Sequence, residues 1–576
     1  MPDKNSFTEI VVFSLLIALL VPAGACDRSR EIPAADLVVR NAVVLTMDKA
    51  GPRAQAVAVI GEKIIRVGDN DEIAPTIRDG KTRVIDARGR LLIPGFNDAH
   101  IHFLSGGFSL LNLDFRYITD IGTIQRMVKD RVAESSPGEL IRGRGWDHEI
   151  FPDKQWPTRE TLDEVAPDNP VILSRADGHS IWVNTYVLRQ SGITRDTPSP
   201  PGGTIVRDSK TGEPTGILKE TAQRLIRLGE RDALSPEETF QANSRAFEAA
   251  LQEARRTGVT SIQHLNDNVE ILQKLRDENH LTLRVTFNMW LTDDNDTLQE
   301  YVELQKRYPR GNDWLRFGYL KAFIDGTLGS GTALMFKPFQ DDPSSSGLPQ
   351  MGYEDLEKQV IAADRLGFQI GIHAIGTKGN HWILNAFEKA QTLNGRRDSR
   401  HRSEHAQILT DDDIPRFASL GVVASMQPTH CITDKNFAEK RLGRERCRGA
   451  YAWQRLLDGG AHIAFGTDWP VEPMDPLEGL YAAVTRKARG GEPGDGWFPD
   501  QRLTLEKAIE LYTLGSAYAE FTENRKGALK KGYLADMVLF DRDLLSILPD
   551  EITRAKVDYT IVGGRVVYSR IPQEHR

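Results

Sequence analysis

Between Leu92 and Asp468 the chain repeats one alternation, a short β-rich run followed by a stretch with apolar residues at helical spacing. Eight runs read as strands: Leu92–His102, Val259–Leu265, Leu283–Trp290, Leu315–Asp325, Phe368–Ile375, Arg402–Gln407, Val422–Gln427 and His462–Asp468. The clearest helical patterns between them are Ala242–Arg256, Tyr353–Leu366 and His381–Ala390. Strands that alternate with helices specify a parallel sheet, and eight such units specify an α/β fold of the (β/α)8 barrel type. The gap between His102 and Val259 is far too long for a loop. It contains the strand-like PVILSRADGHS and the Pro/Gly-rich TPSPPGGTIVRD, and it reads as a large insertion after the first strand, over about residues 105–255, above the barrel mouth.

The two ends of the chain have a different texture. DLVVRNAVVLTM, AQAVAVIGEKIIRVG and TRVIDARGRLLIPG near the start, and GALKKGYLADMVLFD and VDYTIVGGRVVY near the end, are short Val- and Ile-rich runs broken by Gly. They predict one small β-domain assembled from both ends. Ahead of it, Ile10–Val21 is a charge-free run too short to span a bilayer. Followed by Pro22 and Ala23-Gly24-Ala25, it reads as an export signal within residues 1–33, cleaved before Cys26. Ala-Gly-Ala-Cys also resembles a lipoprotein box, although Ala23 replaces the usual Leu and Lys4 faces Asp3 and Glu9. The alternative is an uncleaved anchor. The expected location is therefore the periplasm, or the cell envelope with membrane attachment through a lipidated Cys26. Cys431 and Cys447 could pair in such a compartment or stay free. With 73 Lys and Arg against 81 Asp and Glu, a net −8, the chain has no basic run to neutralise phosphates, so nucleic acid is excluded as a partner. A small molecule is the expected partner; oligomeric state is left open, a homodimer included.

The sharpest chemical signal is PGFNDAHIHF, Pro94 to Phe103. Side chains two apart on a strand point the same way, so His100 and His102 reach one point in space. Lys321 lies in the fourth run, and His373, His405 and Asp468 end the fifth, sixth and eighth. Barrel enzymes gather their reactive groups at the C-terminal ends of strands. Imidazoles and a carboxylate gathered there suit zinc and related divalent ions. An ammonium at Lys321 beside cations is disfavoured, whereas a carbamate formed from it with CO2 is an anionic ligand. The alternative is a free Lys321 capping a carboxylate such as Asp325, with a single metal.

PGFNDAHIH, the Lys321 segment with DGTLGSGTA, HAIG, SEHAQ, FGTDWPVEP and GYLADMVLFD together resemble the amidohydrolase superfamily, specifically amidohydrolase family 3, from about Asp36 to Tyr568. The resemblance implies a metal-dependent hydrolase with a barrel over residues 94–520 and a small β-sandwich from residues 34–93 and 521–570. It implies a first metal on His100, His102 and Asp468, a second on His373 and His405, and a carboxylated Lys321 bridging them. The implied reaction is cleavage of a C–N bond in an amide, formamide or cyclic amide by a metal-bound hydroxide, with Asp468 as general acid and base. His179, in SRADGHSIWVN, is expected to contact substrate or its oxyanion. Trp146, Asp147, Trp182, Asp325 and Trp469 are further pocket candidates, and GLPQMG and PTHCITDKNF are expected as pocket walls. One position departs from the family: Thr377 follows HAIG where Asp is usual, which predicts that its hydroxyl or a water supports His373. Competing readings are a non-catalytic binding protein and a single-metal isomerase, decarboxylase or esterase.

Overall fold

The computed structural model describes residues 32–228, 235–265 and 268–571. The segment expected as an export signal, Cys26 included, lies outside them. Among the described residues no helix is long and apolar enough to cross a membrane.

Eight parallel strands form one sheet in strict sequence order. We number them β1 (Phe96–Ile101), β2 (Val259–Leu265), β3 (Arg284–Trp290), β4 (Leu315–Phe323), β5 (Ile370–Ala374), β6 (Arg402–His405), β7 (Val423–Met426) and β8 (His462–Phe465). Every residue of β1, β5, β6 and β7 is buried, as expected of strands covered by helices outside and side chains within. The segment after β8 closes the barrel onto β1. Asp468 N–H donates to the His100 carbonyl at 2.8 Å and His102 N–H donates to the Trp469 carbonyl at 2.8 Å. The Asp98 carboxylate adds a clamp, accepting from the Thr467 N–H at 2.9 Å.

The run expected as one strand from Leu92 is two. Leu91–Pro94 pairs with Met537–Phe540 in the small domain, and the chain crosses into the barrel at Gly95. Only glycine fits there, since a Cβ would lie 2.2 Å from Thr260 Oγ1. The small domain packs a four-stranded sheet (Leu37–Arg40, Ala56–Ile60, Lys63–Gly68, Arg83–Asp86) on a six-stranded one that joins Val43–Leu45 to Val557–Val562 across the two chain ends. Leu37, Val57, Val59, Val44, Leu92, Met537 and Ile561 fill the space between.

The insertion carries its own six-stranded sheet, from Leu113–Asp114 to Pro214–Glu220. It is shorter than residues 105–255. The helix Pro236–Thr257 belongs to the barrel: Phe247, Ala250, Leu251 and Ala254 enter the main core beside Phe103. A Ser235/Glu238 capping box starts that helix, and Gly258, at φ 81°, ends it. Cys431 and Cys447 are buried free thiols, so the disulfide option is not realised.

Candidate metal centre

β1 delivers His100 to the rim, and His102, just past the strand end, stands beside it with ring centroids 5.4 Å apart. Both Nε2 atoms approach Asp468 Oδ1, at 3.5 and 3.3 Å. The ligand atoms of these three residues lie within 4.8 Å of one another. A second group with the same spread is His405, His430 and Asp468, with His430 Nε2 3.5 Å from Asp468 Oδ2. Asp468 therefore joins two ligand clusters. Its φ of 56° and the φ of 80° at His405 are left-handed backbone at non-glycine residues, a strain retained where geometry matters.

His373 also reaches this rim, its ring 4.4 Å from that of His405. Lys321 Nζ stands 3.5 Å from His100 Nε2. The structure thus brings all six expected residues together, and places His430, at the start of the helix Pro428–Leu442, closer to Asp468 than His373.

Three of the imidazoles are oriented through one nitrogen, leaving the other for the centre. His100 Nδ1–H donates to Glu404 Oε2 at 2.6 Å. His405 Nδ1 is 2.8 Å from Gln427 Oε1, and His373 Nε2 is 3.2 Å from the Gly326 carbonyl. Burial holds His100 down at about 4, and holds His373 and His405 well below the usual imidazole range. Burial raises the Asp468 pKa, but the His102 imidazole beside its carboxylate and the neighbouring His100 and His405 outweigh it and keep the carboxyl well below its ordinary value. Burial lowers Lys321 to about 8. Asp468 Oδ1 and His430 Nε2 are buried with no hydrogen-bond partner. The neutral imidazoles of His100, His373 and His405, an ionised carboxylate and two orphaned polar atoms turned toward one point form a donor set that fits a divalent cation.

Above the centre opens a cavity of about 930 Å³ between barrel and insertion. His179 lines it, with Nδ1 2.8 Å from Glu220 Oε2. Burial opposes its protonation, but the Glu220 carboxylate prevails and raises His179 to about 9. Asp147 also lines the cavity and is ion-paired to Arg175.

Four expected pocket residues are not in the cavity wall. Trp146 and Trp182 are fully buried in the core of the insertion, each indole N–H spent on a backbone carbonyl, Leu173 and Thr158. Trp469 is buried against Phe103, over Gly106. Asp325 is buried under the loop after β4, accepting the N–H groups of Leu334, Ile375 and Gly376, which fixes that loop to the end of β5. It makes no bond to Lys321, so Asp325 is not the carboxylate that a free Lys321 would cap. Thr377 does not support His373 either. Its hydroxyl accepts from the Phe336 N–H, and the Gly326 carbonyl takes the expected supporting role. PTHCITDKNF is helix, and its Thr429, His430, Thr433 and Phe437 line the cavity. Glu404, Gln427 and His430 were not singled out from the sequence, although Glu404 stands next to His405 in SEHAQ.

The sequence model of the amidohydrolase family, Amidohydro_3, matches residues 83–568. The chain belongs to the amidohydrolase family. Protein LONG AFTER FAR-RED 3 of Arabidopsis thaliana is 34% identical over 96% of this chain and 94% of its own length. N-substituted formamide deformylase of Arthrobacter pascens is 27% identical, covering 93% and 98%. A crystal structure described as an uncharacterized metal-dependent hydrolase from Pyrococcus horikoshii OT3 covers 89% of this chain and 99% of its own, with 28% identity and a TM-score of 0.69. As an amidohydrolase the chain is in class a metal-dependent hydrolase.

Proposed function

We propose that this amidohydrolase cleaves the C–N bond of a small amide, formamide or cyclic amide, with Asp468 as general base and then general acid. The observation that carries the reading is the buried, unpartnered Oδ1 of Asp468 between His100 and His102. His100, His102 and Asp468 would hold one divalent ion, and His405 with His373 or His430 a second, zinc being our first candidate. When bound, such ions make water acidic and polarise a carbonyl. Asp468 holds the displaced proton on a carboxylate oxygen and returns it to the leaving nitrogen. His179, kept cationic by Glu220, donates toward the carbonyl oxygen as negative charge builds there. The walls of the cavity exclude bulk water and orient the amide. Burial leaves a fraction of Lys321 as neutral amine, the form that adds to CO2; the N–C bond forms, a proton leaves to solvent, and the resulting carbamate would be an anionic ligand at this centre.

The test is metal content paired with a screen of N-acyl, N-formyl and lactam substrates. Two ions per chain and turnover of at least one amide are expected. Chelation should abolish that turnover and zinc restore it, and Lys321→Ala should bind fewer ions. Metal-replete protein inert across the screen would remove the hydrolase reading.

A further inference from the structure

Tryptophans 146, 182, 453 and 469 are fully buried, whereas Trp290 is 47% exposed, and it lines the cavity above the metal centre. It is the last residue of β3, paired in register with Lys321 of β4, so a strand rather than a mobile loop holds its backbone. Its ring centroid lies 6.1 Å from that of Phe323, inclined by 39°. The Phe323 ring lies 4.9 Å from His373, inclined by 34°. Three rings thus form a continuous aromatic strip that runs from solvent to the ligand cluster. Leu291, Leu328 and Met351 add apolar surface to the same cavity.

Most cations elsewhere in the cavity wall are already engaged; the exposed Arg224 is not, among the described residues. Arg175 is held by Asp147 and Asp177, Arg489 by Glu478, and Arg144 by the Pro470 and Ala176 carbonyls. Around Trp290 the unspent recognition surface is flat and apolar. Covering an exposed indole with another ring removes apolar area from water and adds a ring–ring contact.

We propose that Trp290 and Phe323 are the specificity-determining platform of this site, and that the substrate carries an aromatic arm beside its amide. The inference rests on the amide-hydrolase reading above, but its test is one of binding. N-Benzylacetamide and its isomer N-methyl-2-phenylacetamide place the ring on opposite sides of the amide. N-Methylacetamide lacks the ring, and N-acetylglycine replaces it with a carboxylate. Dissociation constants are measured by ligand-observed NMR on metal-loaded and on chelated protein.

At least one ring isomer should bind tenfold or more tighter than N-methylacetamide. Trp290→Ala should weaken it about tenfold while leaving N-methylacetamide unchanged, and Trp290→Phe should recover most of the loss. The platform is overturned if the ring adds nothing, if Trp290→Ala weakens all the amides alike, or if N-acetylglycine binds tighter than both ring isomers. A ring amide bound in this Trp290-dependent way but never cleaved would sink the hydrolase reading and leave the platform standing.

Discussion

Replacing Asp468 with Asn should lower kcat by about 10²–10⁴-fold, the usual contribution of a positioned acid–base group. The substitution is nearly isosteric, and the backbone that positions it stays in place, because Asp468 N–H is bonded to the His100 carbonyl rather than to anything the side chain provides. What changes is the carboxylate. An amide cannot accept the proton, and it brings an N–H2 group toward a space faced by His102 and His430. Because Asp468 touches both ligand clusters, metal content must be measured on the same sample. Metal retained with kcat lost assigns the proton transfer to Asp468. Metal and kcat lost together make it first a ligand, and metal and kcat both retained would overturn the assignment.

The barrel was legible because most parallel strands buried on both faces are apolar runs, β6 with its Arg-Ser-Glu-His being an exception, and several of the runs close on a residue too polar for a core: His373, His405 and Asp468. That contrast survives in a single sequence. The break at Gly95 did not, since Leu91–Pro94 and β1 follow one another as buried strand whose halves are told apart by the strands beside them. Trp146 and Trp182 lie in a sheet of the insertion, and nothing local says which side of that sheet is core. Trp290 ends its strand on the solvent side, a distinction set by the loops above it. Glu404 shows the same limit most sharply. Its importance comes from His100, far away in the chain, and from Arg402, two residues before it on the same strand.

That grouping sets the second large effect expected. Glu404 is wholly buried, 2.6 Å from His100 Nδ1 and 2.7 Å from Arg402 Nε. Burial opposes its charge, but the Arg402 guanidinium and the neighbouring His100 and Lys321 dominate and hold the carboxyl far below its ordinary value of 4.5. Glu404→Leu leaves the buried Arg402 cation without its partner and His100 without its acceptor. Losing one member of a buried pair costs about 3–5 kcal/mol, and losing the group that orients a ligand imidazole costs about 10–100-fold in metal affinity. Glu404→Gln should separate the two effects. Its carbonyl can still accept from His100 Nδ1–H, so metal affinity should fall less, whereas the charge opposite Arg402 is gone and stability should fall as far or nearly so. Acid pH supplies an independent check. A carboxyl whose pKa is depressed on folding adds stability that is full above its unfolded pKa, near 4.5, and is lost as the pH falls toward its folded one. The gap in thermal midpoint between wild type and Glu404→Gln should therefore be widest near neutrality and narrow below about pH 4.5. A gap that stayed constant or widened on acidification would show that Glu404 is not held as a carboxylate by Arg402, and would remove it as the charge that fixes His100.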